Sequence, residues 1–400
     1  MKNKTKSNYA ISLYFCSICY VSLFISGLIY VKNLKFFNAP ALKNYRQTSK
    51  EQDDLEQNPK IYEIEVWGKA SISHYLWKHI MKANLYKLYN GMMQVGNVTN
   101  NNILFNFKSG PAFIQTTMPS NVQYLVLVLN GRTQDKVKHA TEWLEYLPLF
   151  TNLKKVAVVL LGNEKCENNW ILPYMKSHGG QINVLFIVYD SKLVDNFEIY
   201  QWPLGVADYR GFPNYELDSI NFFLKRPFKY NFMGTIYQNS SRGTLLKEIK
   251  NLQISEDVLL NERYQWTPKE TIPSLTKYIN ALKTSDLTFS PVGKNTECYR
   301  LYEAMSLGSV PVVEDVVTPG QCDSSSLSPL RLLKQFNAPV IWIKNWNQLK
   351  SILREEKRLS NRQIVQRRIN LVKWYDKFKS IIKNRFLTII KEKFKLDKIR

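Results

Sequence analysis

Short, nearly continuous apolar runs recur along the chain and alternate with segments of helical periodicity. Runs of this kind are typical of strands covered on both faces, and their alternation with helices indicates parallel sheets. Two series of predicted strands occupy residues 61–67, 124–130, 155–162 and 182–190, and then 230–237, 286–292, 310–315 and 339–345. The sequence therefore predicts an α/β fold, in which two Rossmann-like domains with parallel sheets face each other across a cleft.

The two series of strands are separated by residues 201–229, which contain three Pro and two Gly and show no clean period. We interpret this segment as an interdomain crossover. It divides an N-terminal domain at 61–200 from a second domain at 230–350. In open α/β sheets ligands bind at the carboxyl ends of strands, so the cleft between the domains is the expected site.

Helices are predicted wherever apolar residues recur at intervals of three and four. Residues 72–89 and 136–150 show this pattern in the first domain. The end of the chain, residues 351–400, is basic and helical, and it includes one long helix from Asn361 to about Phe394.

The N-terminus carries a different signal, because residues 9–31 contain no charged side chain. A helix of about 20 apolar residues spans the ~30 Å hydrocarbon core of a bilayer. The short basic segment before it favours a signal anchor, with a cytosolic tail at 1–8 and a lumenal stem at 32–60. A cleaved signal peptide is the alternative, although its apolar region is normally shorter and ends at a small-residue cleavage site.

The chain is strongly basic, with 55 Lys and Arg against 33 Asp and Glu and a formal net charge of +22. This balance indicates an anionic partner, such as nucleic acid, membrane headgroups or a phosphorylated substrate. A lumenal body behind an anchor does not fit nucleic acid, so we expect a phosphorylated ligand and a membrane association through the anchor.

Three cysteines, Cys166, Cys298 and Cys322, belong to the predicted lumenal part, where disulfides are allowed. Three thiols permit one internal bridge and leave one free, and the sequence does not decide which pair forms. Two glycosylation sequons lie in the same part of the chain. Asn97, in a loop-like stretch rich in Gly and Asn, is the better candidate, whereas Asn239 is expected to be unmodified or to point away from the cleft.

One segment combines several groups that suit a nucleotide sugar, GKNTECYRLYEAMSLGSVPVVED. If its helix starts near Thr296, then Thr296, Arg300 and Glu303 lie on one face. Gly293 lets backbone approach a ligand, and the helix N-terminus at Asn295 and Thr296 offers N–H groups to a diphosphate. Arg300 can bind phosphate and Glu303 can accept ribose hydroxyls. A surface ion pair between Arg300 and Glu303 is the plain alternative.

The extended run FSPVGKNTECYRLYEAMSLGSVPVVEDV resembles the nucleotide-sugar motif of exostosin-like GT-B glycosyltransferases. Together with QWPLGVADYRGFP and NFMGTIYQNSSR, it makes residues 61–391 similar to the ribitol-5-phosphate β1,4-xylosyltransferase family of the dystroglycan O-mannosyl glycan pathway. The resemblance implies a Golgi type II membrane enzyme that moves xylose from UDP-xylose to ribitol-5-phosphate on alpha-dystroglycan, with inversion. It also implies a complex with the ribitol-phosphate transferases of that pathway.

The resemblance also implies which residues bind the donor. It places them at Gly293, Asn295, Thr296, Arg300 and Glu303, and in a second loop at Gly234, Thr235 and Arg242. The second loop fits a tight turn near the phosphates, with its arginine making a phosphate or hinge contact. A solvated helix position is the alternative for that arginine.

Neither a cofactor nor an essential metal is expected. The chain has no D-x-D motif of the kind that holds Mn²⁺ beside a nucleotide sugar. Helix N-termini and basic side chains can stabilise a departing diphosphate instead.

An inverting displacement needs a general base at a strand end of the first domain. Glu164 is the first candidate, Asp190 the second and His74 the third, and each has an ordinary structural role as its alternative. Arg132, which also follows a strand, is the candidate for binding the acceptor phosphate.

Two other functions fit the same sequence. One is an exostosin-like transferase with another UDP-sugar or a glycosaminoglycan acceptor. The other is a non-catalytic lumenal scaffold that keeps the fold.

Overall fold

The protein is described by a computed structural model over residues 60–396, except for residues 120, 238, 266, 268 and 269. The predicted tail, the anchor and all but the last residue of the predicted stem lie outside the described residues. Among the helices that the structure describes, none has the length and apolar character needed to cross a membrane.

The first sheet has eight strands in the order β2-β3-β4-β1-β5-β6-β7-β8. They are β1 Tyr62–Gly68, β2 Tyr86–Leu88, β3 Met93–Asn100, β4 Ile103–Ser109, β5 Tyr124–Asn130, β6 Lys155–Leu161, β7 Ile182–Val188 and β8 Ile199–Trp202. Strands β2, β3 and β4 pair antiparallel, and the other neighbours pair parallel. The apolar runs of β5 and β6 are almost wholly buried, as expected for strands covered on both faces.

The second sheet has five parallel strands in the order β10-β9-β11-β12-β13. They are β9 Phe228–Thr235, β10 Val258–Arg263, β11 Ser285–Ser290, β12 Val310–Glu314 and β13 Ile341–Ile343. The prediction of an α/β fold with parallel sheets is confirmed. Both sheets belong to one compact unit, Pro59–Arg400.

Eight α-helices connect and cover the strands of the described part. They are α1 Ile72–His74, α2 Gln134–Glu145, α3 Ser241–Asn251, α4 Ile272–Thr284, α5 Tyr299–Ser306, α6 Arg331–Gln335, α7 Leu349–Glu356 and α8 Asn361–Phe394. The short helix α1 continues as a π-helix over Tyr75–Ile80.

The helix predicted over 72–89 is wrong in its second half, which forms β2 and leads into an antiparallel meander. The helical turns end near Met81, and Lys82 has a left-handed backbone with a φ of 54°. The indole of Trp77 then donates to the Asn84 carbonyl. Asn90 also has a positive φ of 54°, as a tight connection between β2 and β3 requires. Local turn chemistry therefore outweighs the apolar period.

Helix α8 packs on both halves of the molecule. Near its end, the Phe386 ring contacts Phe186 and Trp202 of the first sheet, with ring centroids 5.2 and 5.6 Å apart. Near its middle, Tyr375 contacts Tyr302 of α5 at 6.2 Å. The long C-terminal helix predicted from the sequence is thus present, and its burial on two partners stabilises a length that an isolated helix would not hold.

The cysteine pairing that the sequence left open is Cys166 with Cys322, and Cys298 is free. The bridge joins the loop after β6 to the segment after β12, so it ties the two halves together. On the same side, the Asn295 side chain donates to the Glu164 carbonyl at 2.7 Å.

Candidate active site

A cavity of about 210 Å³ lies where the carboxyl ends of β6 and β9 meet helix α5 and the crossover. We call it the arginine cleft, because five arginines contribute to its wall. Its lining residues are Arg132, Glu164, Ala207, Tyr209, Arg210, Phe212, Met233, Gly234, Thr235, Arg242, Arg263, Thr267, Glu270, Leu275, Tyr278, Cys298, Tyr299, Arg300 and Glu303. Its position at strand ends agrees with the general location of ligand sites in open α/β sheets.

Two of these arginines occupy equivalent positions, since each is the second residue of a helix that follows a strand. Arg242 of α3 donates through Nη1 to the Thr235 carbonyl at 2.6 Å. Arg300 of α5 donates through Nη2 to the Met233 carbonyl at 3.0 Å. Both carbonyls belong to the end of β9, so the two guanidinium groups converge on one strand end.

These two guanidinium groups are not neutralised by carboxylates. Within the described residues, neither Arg242 nor Arg300 has a carboxylate oxygen at ion-pair distance, and the Nε atom of each is buried without a hydrogen-bond partner. Burial, together with the nearby positive charge of Arg300, lowers the pKa of Arg242 to about 10. Buried cations that repel each other and keep unused donors form a strong anion site.

Two glycines make room for these arginines. A Cβ atom at Gly293 would lie 2.6 Å from Nη2 of Arg242, and one at Gly234 would lie 2.8 Å from Nη2 of Arg300. Both distances are below van der Waals contact, so any side chain at either position displaces a guanidinium group. The structure therefore brings Gly234, Gly293, Arg242 and Arg300 together, as the sequence predicted.

Glu303 lies in the cleft at 4% exposure and is held by the crossover and by α4. Its Oε1 accepts from the Ala207 backbone N–H at 3.0 Å, and its Oε2 accepts from the Tyr278 hydroxyl at 2.5 Å. Burial raises the pKa of Glu303, although both hydrogen bonds oppose the rise. A carboxylate has about four acceptor sites, so two remain for hydroxyl groups of a ligand. The alternative of a surface ion pair with Arg300 is wrong, because Glu303 is buried.

The predicted roles of Asn295 and Thr296 need correction. Helix α5 begins at Tyr299, three residues later than predicted, and neither residue lines the arginine cleft. Thr296 is buried; its backbone N–H donates to Thr318 Oγ1 at 3.0 Å, and its hydroxyl donates to the Val316 carbonyl. Both polar side chains are used to fix the loop, so Thr296, Arg300 and Glu303 do not form one helical stripe.

The cleft also contains residues that the sequence analysis missed. Arg263 forms two hydrogen bonds with Glu270, at 2.7 and 2.8 Å, and Arg210 lies 3.7 Å from the same carboxylate. Arg263 ends β10, a strand that was not predicted. Arg210 belongs to the crossover motif DYRG. The aromatic and charged residues beside a glycine in this motif were the sequence signal that could have identified it as a site residue.

The two first-half candidates at the rim of the cleft pair with each other. Nη2 of Arg132 lies 2.5 Å from Oε1 of Glu164. Burial acts to lower the pKa of Arg132, but the neighbouring Tyr189 and Glu164 outweigh it and raise that pKa. The structure thus places Glu164 and Arg132 where they were expected, at strand ends facing the second half.

Asp190 is not part of the arginine cleft. Its Oδ2 accepts from the Arg331 backbone N–H at 3.0 Å, and it lines a separate small cavity with Glu297 and Cys322. Burial raises the pKa of Asp190, while the hydrogen bond and charge of Arg331 oppose the rise. Its fixed contacts are those of a residue that holds α6 against the first half, which disfavours it as the base.

Two further expectations concern the glycosylation sequon at Asn97 and a metal site. Asn97 is exposed but lies within β3, opposite Asn106, so the expected loop is a strand. The described residues contain no group of three or more His, Cys, Asp or Glu side chains placed to hold a metal ion.

Comparison with known proteins identifies both halves. Residues 64–203 match the family model described as RXYLT1 N-terminal domain, and residues 209–395 match RXYLT1 C-terminal domain. The Danio rerio protein named ribitol-5-phosphate xylosyltransferase 1 is 45% identical over 86% of this chain and 80% of its own length. The Homo sapiens protein of the same name is 43% identical over 83% of this chain and 76% of its own length.

Solved structures match this chain with much lower sequence identity. Starch synthase IV from Arabidopsis thaliana matches with a TM-score of 0.43 at 7% identity, covering 84% of this chain and 100% of that one. An alpha-glucosyltransferase solved with UDP and DNA matches with a TM-score of 0.45 at 11% identity, covering 82% and 99%.

The family matches and the relatives over most of the chain define the class of protein, which is a glycosyltransferase. Within that class, the chain belongs to the ribitol-5-phosphate xylosyltransferase family.

Proposed function

We propose that this enzyme transfers xylose from UDP-xylose to ribitol-5-phosphate on the O-mannosyl glycan of alpha-dystroglycan, with a β1,4 linkage and inversion. The names of its relatives support the sugar and the acceptor. One structural observation carries the donor assignment, namely that Arg242 and Arg300 converge in the cleft and form no ion pair with a carboxylate of the described residues. The two sheets and their shared cleft support the GT-B assignment.

The UDP diphosphate binds between Arg242 and Arg300, where it satisfies the unused N–H donors of both side chains. The ribose hydroxyls donate to the two free acceptor sites of Glu303. Gly293 and Gly234 contribute by leaving space for the guanidinium groups. Asn295 and Thr296 act indirectly, because they fix the loop that carries Arg300.

Transfer proceeds as a single displacement. The acceptor hydroxyl oxygen forms a bond to the anomeric carbon while the bond from that carbon to the diphosphate oxygen breaks, and the bonding electrons leave with UDP. Arg242 and Arg300 stabilise the negative charge that develops on the departing diphosphate. We propose that these cations make an essential metal unnecessary. Loss of turnover on chelation, with recovery on adding Mn²⁺, would refute this part.

The acceptor carries its own phosphate. Arg132 has donors beyond the one used on Glu164, so it is our candidate for binding that phosphate. The net charge of +22 supports an anionic acceptor.

We further propose a Golgi location, a type II orientation and an association with the ribitol-phosphate transferases of the same pathway. The uncharged run at residues 9–31 and the basic segment before it support the anchor.

The direct test is a transfer assay with the full chain in detergent, UDP-xylose and a ribitol-5-phosphate acceptor. We expect xylosylated product, and NMR of the new anomeric centre should show the β configuration. UDP-glucose and UDP-galactose serve as matched donors. Equal transfer from all three donors would remove the assignment to xylose while leaving a glycosyltransferase.

A further inference from the structure

A second cavity, of about 440 Å³, opens at the carboxyl ends of β1 and β4. We call it the histidine cavity, because His74 is the imidazole in its wall. It is lined by Gly68, Lys69, Ala70, Ser71, Ser73, His74, Gly91, Gln94, Ser109, Gly110 and Pro111. It occupies the ligand-binding edge of the first sheet, as the arginine cleft does for the second sheet.

The wall of the histidine cavity consists of small and neutral polar groups. Three serines contribute hydroxyls, and the Oε1 atom of Gln94 is buried without a hydrogen-bond partner. The one ammonium group, that of Lys69, is used internally, since it donates to the carbonyls of Gly110 and Phe113. Such a wall suits a ligand rich in hydroxyl groups rather than a cluster of negative charges.

His74 is oriented by a buried carboxylate. Its Nδ1 lies 3.3 Å from Oδ1 of Asp208, whose side chain is 7% exposed, while the imidazole itself is 22% exposed. Lys78 and His79 contact the same carboxylate at 2.9 and 3.2 Å. Burial alone would raise the pKa of Asp208, but the hydrogen bonds from His74, His79 and Lys78 outweigh it and hold that pKa well below its usual range. With Nδ1 facing a carboxylate, Nε2 is the nitrogen that can accept a proton.

The same crossover turn touches both cavities. Asp208 holds His74, and the next two residues, Tyr209 and Arg210, line the arginine cleft. On the other side, Ser71 of the histidine cavity lies beside the hydroxyl of Tyr299, which lines the arginine cleft. Residues 208–210 of the crossover therefore contribute to both sites, and the walls of the two cavities approach each other at Ser71 and Tyr299.

We propose that the histidine cavity binds the polyol part of the acceptor and that His74, oriented by Asp208, is the general base of the transfer. This rests on the proposed function and adds the acceptor subsite and the base to it. The acceptor hydroxyl gives its proton to Nε2 of His74 as its oxygen bonds to the anomeric carbon, and UDP departs with the electron pair. Asp208 is a positioning residue that stabilises the imidazolium.

Glu164 is the competing base. Its Oε1 is engaged by Nη2 of Arg132 at 2.5 Å, so that oxygen is already occupied by a hydrogen-bond donor. We assign it the role of holding Arg132.

The decisive comparison is between His74→Gln and Glu164→Gln at saturating acceptor. We expect His74→Gln to lower kcat by about 100-fold or more, the usual contribution of a general base, with UDP binding by calorimetry within about twofold of wild type. Glu164→Gln should lower kcat much less. His139→Gln is the matched control, since that imidazole is exposed on α2. If Glu164→Gln loses more activity than His74→Gln, the base is Glu164 and the proposal is overturned.

The role of Asp208 is tested by the pH–rate profile. Asp208→Asn keeps a hydrogen-bond acceptor but removes the charge that stabilises the imidazolium. In Asp208→Asn we expect the acid limb of the kcat/KM profile to move to lower pH. In His74→Gln we expect that limb to disappear. A merely structural role of Asp208 would lower activity at every pH without moving the limb.

The cavity itself is tested by narrowing it with Gln94→Phe. We expect the KM for the ribitol-5-phosphate acceptor to rise about tenfold, with the KM for UDP-xylose unchanged. An unchanged acceptor KM, together with a cooperative thermal transition, would overturn the subsite. A wild-type enzyme that binds UDP but transfers nothing to ribitol-5-phosphate would refute the proposed function instead, so the two failures are distinguishable.

Discussion

The arginine cleft and the histidine cavity both lie at the carboxyl ends of parallel strands but differ in chemistry. The arginine cleft presents buried guanidinium groups with glycines beside them. The histidine cavity presents serines and one imidazole paired with a carboxylate. The first arrangement suits a multiply charged anion, and we propose that the second orients a hydroxyl and accepts its proton. On this proposal, donor binding and proton transfer are divided between the two halves of the fold.

The largest expected effect is a loss of UDP affinity in Arg300→Ala, which tests whether the arginine cleft is the donor site. One charge-assisted hydrogen bond contributes about 3 kcal/mol, which is about 100-fold in affinity. We therefore expect UDP to bind about 100-fold more weakly in isothermal calorimetry. Arg354→Ala, at an exposed position of α7, should leave the affinity unchanged. Normal UDP affinity in Arg300→Ala would show that the cleft is not the donor site.

The second prediction tests whether UDP affinity depends on the position of the Arg242 side chain and not only on its charge. Gly293→Ala keeps both charges but places a Cβ against Nη2 of Arg242, where 2.6 Å is available. We expect UDP binding to weaken about tenfold, because the guanidinium must move. The control is Gly243→Ala in α3, where the nearest atom to the new Cβ is at 3.7 Å. That change should leave UDP affinity unchanged and stabilise the helix by about 0.5–1 kcal/mol.

A smaller, several-fold effect is expected for the labelling of Cys298. This half-buried free thiol lines the arginine cleft, 3.9 Å from Nη1 of Arg300. Bound UDP should slow its alkylation by N-ethylmaleimide several-fold, as followed by mass spectrometry. Ribitol-5-phosphate alone should slow it less, since we place only its phosphate, at Arg132, in the arginine cleft and its polyol part in the histidine cavity. Equal protection by both ligands would argue that the two cavities form one site.

The smallest effect on catalysis is expected at Glu297, which lines a separate small cavity rather than the arginine cleft or the histidine cavity. This carboxyl accepts from the Leu204 N–H at 2.8 Å and from the Tyr302 hydroxyl. Burial raises the pKa of Glu297 from 4.5 to about 7, against the opposing effect of those hydrogen bonds. A raised carboxyl pKa means that the folded state binds the proton more tightly. Its contribution to the free energy of unfolding is therefore complete below pH 4.5 and is lost as the pH rises through about 7.

Denaturant titrations at several pH values measure that contribution. The wild-type free energy of unfolding should fall by about 3 kcal/mol more than that of Glu297→Gln over this pH range. Both KM values should stay near wild type. A change in either KM would show that the region around Glu297 takes part in binding.

The sequence predicted most of the second half of the site because its signals are local. Gly293 and Arg300 lie between the apolar runs of β11 and β12, which are easy to recognise, and strand ends of a parallel sheet meet at one edge. The family resemblance implied Gly234, which lies within β9, and Arg242 of α3. The start of helix α5 was harder to predict from the sequence. Thr296 has a side chain that could cap a helix, but its hydroxyl donates to the Val316 carbonyl and its N–H donates to Thr318 Oγ1.

The first half was harder to predict. The edge strands β2 and β3 carry mixed polar and exposed apolar residues, so they lack the continuous apolar run that identified β5 and β6. The partner of His74 is Asp208, which the chain places beyond the whole first sheet. Nothing in the local pattern around either residue indicates that they meet.

The sequence by itself determined the alternation of strands and helices and the long C-terminal helix, which follow from periods of a few residues. The run from Gly293 to Glu303 was recognisable in the sequence, and the family resemblance implied Gly234 and Arg242. Only the tertiary structure decided that Cys166 pairs with Cys322, that Asp208 orients His74, and that, within the described residues, Arg132 and Arg263 contact carboxylates while Arg242 and Arg300 do not. The physical reason is that charge pairing and burial depend on atoms within about 4 Å, and packing brings those atoms from distant parts of the chain.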